Sequence, residues 1–330
     1  MNRSMSLVVL FVAMLVQCAK SQSNNNDPSI ISPNSKIELI KDGFTNLEGT
    51  SVSPDGRIFF VDLITSWHDP MGAAKIWIYN PNSNEFSLFA SPTGRTVGTE
   101  FDNNGNLICA EFSDGGGRRI TLRNVTNGEA RFLANGFEGK PFNGPNDLTI
   151  DRKNRIYFTD YVFTTPSEVM YHPFGGVYRI DPNGNVNRII DNAGLPNGIV
   201  ISPDQKTLYV ATNGYDIWGS QAVLAYDLSD EGTAIFRNIF VDFGVTPIKP
   251  DGLTIDMEGN LYVSLFNKQA GAGVKVYSPS GKELAFIKCP TAIQNVTFGR
   301  GKFINTLFMV GQDCFYKVKL ETKGYHLNSN

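Results

Sequence analysis

The sequence predicts an all-β protein with the architecture of a six-bladed β-propeller, and three observations lead to this prediction. A polar turn followed by a short apolar strand recurs along the chain, with starts about 50 residues apart, a spacing typical of one four-stranded blade. A further strand pattern follows each copy of this unit. The chain is also rich in glycine (32), phenylalanine (23) and tyrosine (12), which favours many turns and aromatic strands.

The repeated unit occurs in five clear copies and one degraded copy. The copies are SPDGRIFFVD (53–62), DNNGNLICAE (102–111), DRKNRIYFTD (151–160), SPDQKTLYVAT (202–212), DMEGNLYVSL (256–265) and the degraded GRGKFINTLFMVG (299–311). A third strand pattern follows each copy, for example KIWIY at 75–79, and most blades then show a turn and a fourth strand. We expect residues 36–41 to form the outer strand of the last blade and so to close the ring.

The N-terminal residues 1–21 are predicted to be a secretory signal. Asn2 and Arg3 precede an apolar run at 7–16 that is too short to span a bilayer, and AKS at 19–21 offers a cleavage site. An uncleaved anchor is the alternative. We expect residues 22–35 to be a polar linker and residues 36–330 to form one propeller domain. The mature protein is then expected to be secreted or in the secretory-pathway lumen (the periplasm in a bacterium), with no membrane association.

Charge and cysteine content restrict the partners and the chemistry. The net charge is −3 and no basic patch is present, so we expect no nucleic acid partner, and we expect a monomer that acts on a small molecule. Signal cleavage would remove Cys18. Cys109 lies in a strand pattern and is predicted to be a buried thiol. Cys289 and Cys314 could pair, but the sequence leaves a disulfide between them open.

Oxygen-bearing side chains recur at one position of the repeat. Five residues before each copy, in loops expected to meet at one end of the central channel, the six blades carry Glu48, Val97, Asn146, Asn197, Asp251 and Gln294. Four of these, two carboxylates and two amides, suit a hard cation, and the sequence therefore predicts a central metal site. Ca²⁺ fits this set best, whereas Zn²⁺, Mg²⁺ and Mn²⁺ are further possibilities. The alternative is that asparagine, aspartate and glycine recur there because the loop turns there.

Polar residues next to this register are candidates for further roles. Asp147 is an extra carboxylate beside Asn146, and Asn143 could donate a hydrogen bond to a substrate. The carboxylates that end three second strands form either a second functional ring or ties between strand ends and loops; they are Asp62, Glu111 and Asp160. Two insertions, one with Trp67, His68 and Met71 and one at 161–171, are either lids or plain surface loops.

The chain resembles the SMP-30/gluconolactonase/luciferin-regenerating-enzyme family. The resemblance rests on LEGTSVSPDG, PTGRTVGTEFDNNGNL, FNGPNDLTIDRKNRIYFTD, GLPNGIVISPDQKTLYVA and PDGLTIDMEGNLYV, and it covers nearly the whole mature chain. It implies a six-bladed propeller with one divalent cation and a hydrolase of lactones or, in relatives, organophosphate esters. It also implies that Glu48, Asn197 and Asp251 bind the metal, that Asn146 contacts the metal or the substrate, and that Asp251 transfers the proton.

Two departures from the family pattern affect the expected specificity and metal content. Gly144 stands where sugar-lactone relatives carry an arginine that holds sugar oxygens. Thr254 and Thr297 stand where the squid phosphotriesterase uses an aspartate and a histidine for a second calcium ion, so we expect no second ion.

Three functions follow from these observations. The first is a secreted metal-dependent lactonase or esterase, with Asp251 as the first choice for the base and Asp147 as the second. The second is a non-catalytic extracellular propeller with a structural Ca²⁺ ion. The third is a recruited pathway enzyme that acts on a non-sugar ring or a phosphoester.

Overall fold

A computed structural model describes residues 26–63, 74–113, 116–161, 169–266 and 271–327. The predicted signal segment, together with Trp67, His68 and Met71, lies outside the described residues. Within them, the only helical element is a single 3₁₀ turn at Gly301–Phe303, and all other regular structure is β-strand. The described part of the chain has no helix of the length and apolarity needed to cross a membrane.

Twenty-four strands form six antiparallel four-stranded sheets, the six predicted blades. Blade 1 is β2 (Leu47–Val52), β3 (Ile58–Asp62), β4 (Lys75–Asn80) and β5 (Glu85–Ala90). Blade 2 is β6 (Thr96–Phe101), β7 (Leu107–Glu111), β8 (Arg119–Arg123) and β9 (Ala130–Ala134). Blade 3 is β10 (Pro145–Ile150), β11 (Ile156–Asp160), β12 (Gly176–Ile180) and β13 (Val186–Ile190).

The second half of the ring has the same construction. Blade 4 is β14 (Pro196–Ile201), β15 (Thr207–Thr212), β16 (Gln221–Leu228) and β17 (Ala234–Gly244). Blade 5 is β18 (Lys249–Ile255), β19 (Leu261–Phe266), β20 (Gly273–Tyr277) and β21 (Glu283–Lys288). Blade 6 is β22 (Asn295–Phe298), β23 (Thr306–Gly311), β24 (Cys314–Lys319) and β1 (Glu38–Lys41). The first strands of neighbouring blades contact one another around the whole ring, so they line the central channel.

The ring closes as the sequence predicted. Strand β1 pairs antiparallel with β24, with Glu38 opposite Lys317 and Leu39 opposite Tyr316. An N-terminal strand therefore completes the sheet that the C-terminal strands begin. Opening the ring requires this pairing to break, which couples both ends of the chain to the stability of the whole propeller.

The linker prediction for residues 22–35 needs correction where the structure describes them. Ile30 is 1% exposed and Ile31 is 9% exposed, and both pack in the apolar cluster between blades 5 and 6. The backbone N–H of Asp27 also donates to the carbonyl of Leu284. Two adjacent isoleucines have no strand or helix period, so the sequence pattern does not reveal that they fill a gap between blades.

The apolar core lies between the blades rather than in one central mass. Each cluster takes side chains from neighbouring sheets, as in the pair Phe60 and Phe315 of blades 1 and 6, whose ring centroids are 5.0 Å apart. Cys109 is a buried free thiol, as expected, and Cys289 and Cys314 are also free thiols. The disulfide that the sequence left open is therefore absent from the structure.

Candidate metal centre and active site

The four predicted ligands lie inside the first strands, at or beside β-bulges, and not in the preceding loops as the sequence suggested, whereas Gln294 of blade 6 directly precedes β22. In blade 3, Asn146 and Asp147 together oppose the single residue Thr159, and the register of β10 against β11 shifts between Pro145 and Leu148. Similar shifts occur in the first strands of blades 1, 2, 4 and 5. Because a bulge re-aims side chains out of the normal alternation, consecutive residues can both reach the channel.

The four predicted ligands come together at one end of the channel. They share one cavity of about 450 Å³, called here the upper cavity, with Val97 and Gln294 of the same register. The predicted ligands are Glu48, Asn146, Asn197 and Asp251. All six blades thus place their register residue in one space. The role of these residues as metal ligands stays a prediction.

Amide groups hold the two carboxylates of the upper cavity. Gln294 Nε2 donates a hydrogen bond to Glu48 Oε1 over 2.7 Å, and its Oε1 accepts one from the backbone N–H of Gln312 over 3.0 Å. Asn197 hydrogen-bonds the carboxylate of Asp251. The orienting role of Gln294 was not predicted, although its place in the repeat register was the available signal.

The electrostatics of the upper cavity favour a bound cation. Burial raises the pKa of Glu48 to about 7, and burial together with the nearby charges of Glu48 and Asp147 raises the pKa of Asp251 well above its usual range. Buried like charges that repel each other are stabilised by a cation between them. The donors are all oxygens, which fits a hard divalent ion such as Ca²⁺. Among the described residues no cluster of three or more histidine, cysteine, aspartate or glutamate side chains occurs; this set instead combines carboxylates with amides.

Asp147 faces a different space from its neighbour Asn146. It lines a second cavity of about 300 Å³ farther along the channel, called here the lower cavity, together with Asn295, Thr254 and Thr297. Asp147 Oδ1 accepts a hydrogen bond from the backbone N–H of Leu148 over 2.9 Å, and the carboxylate also bonds Asn295. Burial raises the pKa of Asp147 to about 8. Asp147 thus lies outside the lining of the upper cavity, although its charge is near enough to act on Asp251.

Glycines at the bulges allow neighbouring first strands to approach each other closely. Asp147 and Asn295 follow the register residue in blades 3 and 6, where the other four blades carry glycine. A β-carbon on Gly98 would lie 2.8 Å from Asp147 Cα, and one on Gly252 would lie 2.6 Å from Asn295 Cγ. Neighbouring first strands are therefore too close for side chains at Gly98 and Gly252.

Hydroxyl groups fix each bulge against the next blade. Thr159 Oγ1 donates to the carbonyl of Asn197 over 2.7 Å and accepts from the backbone N–H of Asp147 over 3.1 Å. Ser264 Oγ lies 2.9 Å from the carbonyls of both Gly252 and Gln294. These bonds set the positions of the site residues in blades 4 and 6 through the strand of the preceding blade.

The side chain of Asn143, which the sequence suggested for substrate binding, is hydrogen-bonded to the protein backbone. It is 1% exposed, its Nδ2 donates to the carbonyl of His172, and its Oδ1 accepts from the backbone N–H groups of Tyr171 and His172. Both ends of the amide are thus used to hold the loop before β12. The structure gives Asn143 no position in the lining of the upper cavity.

The carboxylates at the second-strand ends tie strands to loops. Asp160 accepts hydrogen bonds from the backbone N–H groups of Asn143 and Gly144, over 3.0 and 2.7 Å. Asp62 does the same for residues 45 and 46 of blade 1, and Glu111 binds Arg119. Of the two alternatives, the loop-tying role is the one observed for Asp62 and Asp160.

A second ring of side chains surrounds the upper cavity above the register residues. It is formed by the residue at or just after the end of each second strand, and all six blades contribute. The members are Leu63, Phe112, Tyr161, Asn213, Phe266 and Gln312. The sequence analysis did not predict this ring, although each member lies at the end of a repeat copy. It singled out the neighbouring strand-end carboxylates.

Comparison with known proteins places this fold and site in a family. The model of the SMP-30/Gluconolactonase/LRE-like region matches residues 66–312. The chain belongs to this family. The match includes three of the four predicted ligands, Asn146, Asn197 and Asp251, whereas Glu48 precedes the matched region.

Individual members of this family are similar to the chain at moderate identity. A gluconolactonase of Zymomonas mobilis is 30% identical over 226 residues, which are 64% of this chain and 60% of that protein. The lactonohydrolase oryL of Aspergillus oryzae is 27% identical over 228 residues, 62% of this chain and 50% of that protein. The matched regions thus span only about half to three-fifths of these relatives. The structure of a gluconolactonase from Xanthomonas campestris has a TM-score of 0.74 at 26% identity and covers 89% of this chain and 92% of that one.

Proposed function

We propose that the protein is a divalent-cation-dependent hydrolase, with Ca²⁺ as the preferred ion, that opens a lactone or cleaves a related ester. The observation that supports this most strongly is the convergence of Glu48, Asn146, Asn197 and Asp251 on one cavity of about 450 Å³. The family and the lactone-hydrolysing relatives support the reaction class.

The four oxygen donors would hold the cation. A bound divalent cation supplies Lewis-acid polarisation of a carbonyl group. The amide hydrogen bonds from Gln294 to Glu48 and from Asn197 to Asp251 keep both carboxylates directed into the cavity. Because each amide hydrogen bond holds its carboxylate group in one orientation, the two side chains need little rearrangement when the cation binds.

Asp251 is the proposed base. It shares the upper cavity with the other donors. A carboxylate oxygen of Asp251 that does not hold the cation would accept the proton from the water molecule that attacks the substrate carbonyl. Asp147, the second choice, is less suitable because its carboxylate lines the lower cavity and is bonded to Asn295. The substrate is a small molecule, and the protein is proposed to act as a monomer without nucleic acid.

The decisive experiment measures hydrolysis of lactones and aryl esters after chelation and after restoring Ca²⁺, Mg²⁺, Mn²⁺ or Zn²⁺. We expect restored activity in the wild type, a loss of about a thousandfold in Asp251→Asn, and less than about a tenfold loss in Asp147→Asn, the matched control on another bulge. Equal losses in the two variants would contradict the assignment of the base. Full hydrolytic activity in Asp251→Asn would exclude Asp251 as the base. No turnover of any substrate by the wild type, while Ca²⁺ still stabilises the fold, would favour a non-catalytic propeller.

Secretion is proposed from the N-terminal segment alone. Expression of the full-length protein in a secreting host, followed by N-terminal sequencing of the exported product, tests it. A new N-terminus near residue 22 supports the proposal, and retention of the segment on a membrane-bound product would favour the uncleaved anchor.

A further inference from the structure

The walls of the upper cavity differ between its two sides. On three consecutive blades, 1 to 3, the lining includes Leu63, Val97, Phe112 and Tyr161. On blades 4 to 6 it includes Asn213, Lys249 and Gln312, and Phe266 is the apolar member there. Apolar side chains are thus concentrated on blades 1 to 3, and the four residues named for those blades are called the apolar wall. Thr45, Asn46 and Arg95 line the cavity on the same blades.

The aromatic part of the apolar wall is well supported. Phe112 is 8% exposed and Val97 is 7% exposed, so both side chains are held by surrounding protein. The ring centroids of Phe112 and Tyr161 are 6.4 Å apart, and the Arg95 guanidinium lies 5.9 Å from the Phe112 centroid. A surface built from adjacent aromatic and aliphatic groups gains free energy when an apolar group of a ligand covers it.

Val97 links this wall to the candidate metal centre. It is the apolar member of a register whose other five members carry oxygen, and it lies in the same cavity as Glu48 and Asn146 on the neighbouring blades. A substrate whose reacting carbonyl lies among the oxygen donors therefore has apolar protein surface beside it on the side of blade 2.

We propose that the wall formed by Leu63, Val97, Phe112 and Tyr161 is a subsite for an alkyl or aryl substituent, so that the substrate is an apolar-substituted lactone and not a polyhydroxylated one. This inference rests on the proposed lactone hydrolysis and names the substrate class for the same site. A sugar hydroxyl placed against these four side chains would find only the Tyr161 hydroxyl among them, whereas an alkyl or aryl group would cover them without loss of hydrogen bonds. The cationic group that lines the cavity on this side, the Arg95 guanidinium, lies 5.9 Å from the Phe112 ring centroid.

The test compares the Ca²⁺-loaded protein on γ-butyrolactone, γ-hexalactone, γ-octalactone, γ-decalactone and glucono-δ-lactone. We expect kcat/KM to rise about two- to fourfold for each added methylene until the wall is covered. We also expect γ-octalactone to be preferred over glucono-δ-lactone by at least about tenfold. A flat or falling alkyl series, or a preference for the sugar lactone, would overturn the proposal.

Variants locate the effect on the wall. Phe112→Ser and, as a second variant in case the first fails to fold, Leu63→Asn should lower kcat/KM for γ-octalactone about tenfold while changing that for γ-butyrolactone less than about twofold. The control is Phe132→Ser, which makes the same change at an exposed site on the outer strand of blade 2. If Phe132→Ser lowers the γ-octalactone rate as much as Phe112→Ser does, the wall is not the subsite.

A binding measurement separates failure of the subsite from failure of the reaction. Calorimetry with the non-hydrolysed lactam analogues of the same alkyl series should give affinities that rise with chain length in the wild type and not in Phe112→Ser. Chain-dependent lactam binding without hydrolysis of any lactone would support the subsite and contradict the proposed function. Hydrolysis of γ-butyrolactone without chain dependence in either assay would contradict the subsite alone.

Discussion

The two cavities of the central channel are lined by the same six first strands, but they differ in chemistry. The upper cavity collects carboxylate and amide groups from several blades. The lower cavity is lined largely by threonines and aliphatic residues, and its hydroxyl groups find protein partners: Thr50 bonds Asn295 over 2.9 Å, and Thr99 bonds the carbonyl of Gly49 over 2.6 Å. Hydroxyl groups that form their hydrogen bonds within the protein stabilise a channel. Carboxylates with few hydrogen-bond donors around them can instead bind a cation.

The C-terminal segment adds a second difference, because residues 325–327 help to line the lower cavity. The backbone N–H of Tyr325 donates to the carbonyl of Ile255, His326 Nε2 lies 2.9 Å from the carbonyl of Gly299, and Leu327 packs against the core between blades 2 and 3. The segment therefore connects several blades at this end of the channel. The comparison teaches that the C-terminal segment closes one end of the channel, whereas the other end keeps a cavity lined by carboxylates and amides from several blades.

The largest difference between the two cavities is expected for a pair of buried glutamates, one in each cavity. Burial raises the pKa of both Glu48 in the upper cavity and Glu100 in the lower cavity to about 7. We expect Glu48→Gln to lower kcat/KM for a lactone at least about a hundredfold, because it removes a cation ligand, and Glu100→Gln to change it less than about threefold. Steady-state kinetics of both variants test this, and a reversed order would break the comparison.

Cation binding should stabilise the protein through the upper cavity alone. At a Ca²⁺ concentration of one hundred times Kd, we expect the free energy of unfolding to rise by about 2.7 kcal/mol. Urea titrations with and without Ca²⁺ measure this for the wild type and Thr254→Val, which should respond alike, and for Asn197→Ala, which should respond much less. An unchanged response in Asn197→Ala would remove that amide from the ligand set.

The pH dependence of the cation-free protein follows from its raised carboxyl pKa values. The folded-state pKa values of about 7 for Glu48 and about 8 for Asp147 lie above the ordinary values of 4.5 and 3.8, so the folded state holds these protons more tightly. The resulting stability is present at about pH 4 and is lost as the pH rises to about 8. We expect the melting temperature without cation to fall by several degrees from pH 5 to pH 8. If Ca²⁺ binds the ionised carboxylates of the upper cavity as proposed, it should reduce this fall, and a rising curve without cation would contradict the burial of these groups.

The smallest effect on activity is expected at the lower end. Tyr325→Ala removes half-buried ring packing between blades and hydroxyl contacts to Arg152 and Gln205, so we expect a loss of about 1–3 kcal/mol in unfolding free energy. Lactone hydrolysis at 25 °C should stay within about twofold of the wild type. A tenfold loss of kcat in a folded Tyr325→Ala protein would show that the two ends of the channel are coupled.

The sequence predicted those features that repeat. Six copies at a regular spacing predict six blades, and residues 36–41, which precede the first blade, were expected to form the closing strand β1. The position of an oxygen side chain in the repeat predicts which residues of separate blades meet, because equivalent positions of a propeller face one axis. This reasoning brought Glu48, Asn146, Asn197 and Asp251 together correctly, although they are far apart in the chain.

Features that depend on a local break in the repeat were not predicted. At the bulge of blade 3, the side chains of Asn146 and Asp147 line different cavities. The residue types alone do not reveal the bulge or the directions of the two side chains. The use of Asn143 depends on backbone groups of residues 171 and 172, about 30 positions away. The orientation of Gln294 depends on Gln312, and the burial of Ile30 depends on a gap between two blades. All of these are tertiary contacts without a periodic signal.

Anomalous diffraction from crystals soaked in Ca²⁺ or Mn²⁺ tests the central claim most directly. The account predicts one strong peak in the upper cavity, at about 2.1–2.6 Å from side-chain oxygens of Glu48, Asn146, Asn197 and Asp251. A peak in the lower cavity beside Asp147, or none in either cavity at a saturating concentration, would contradict it.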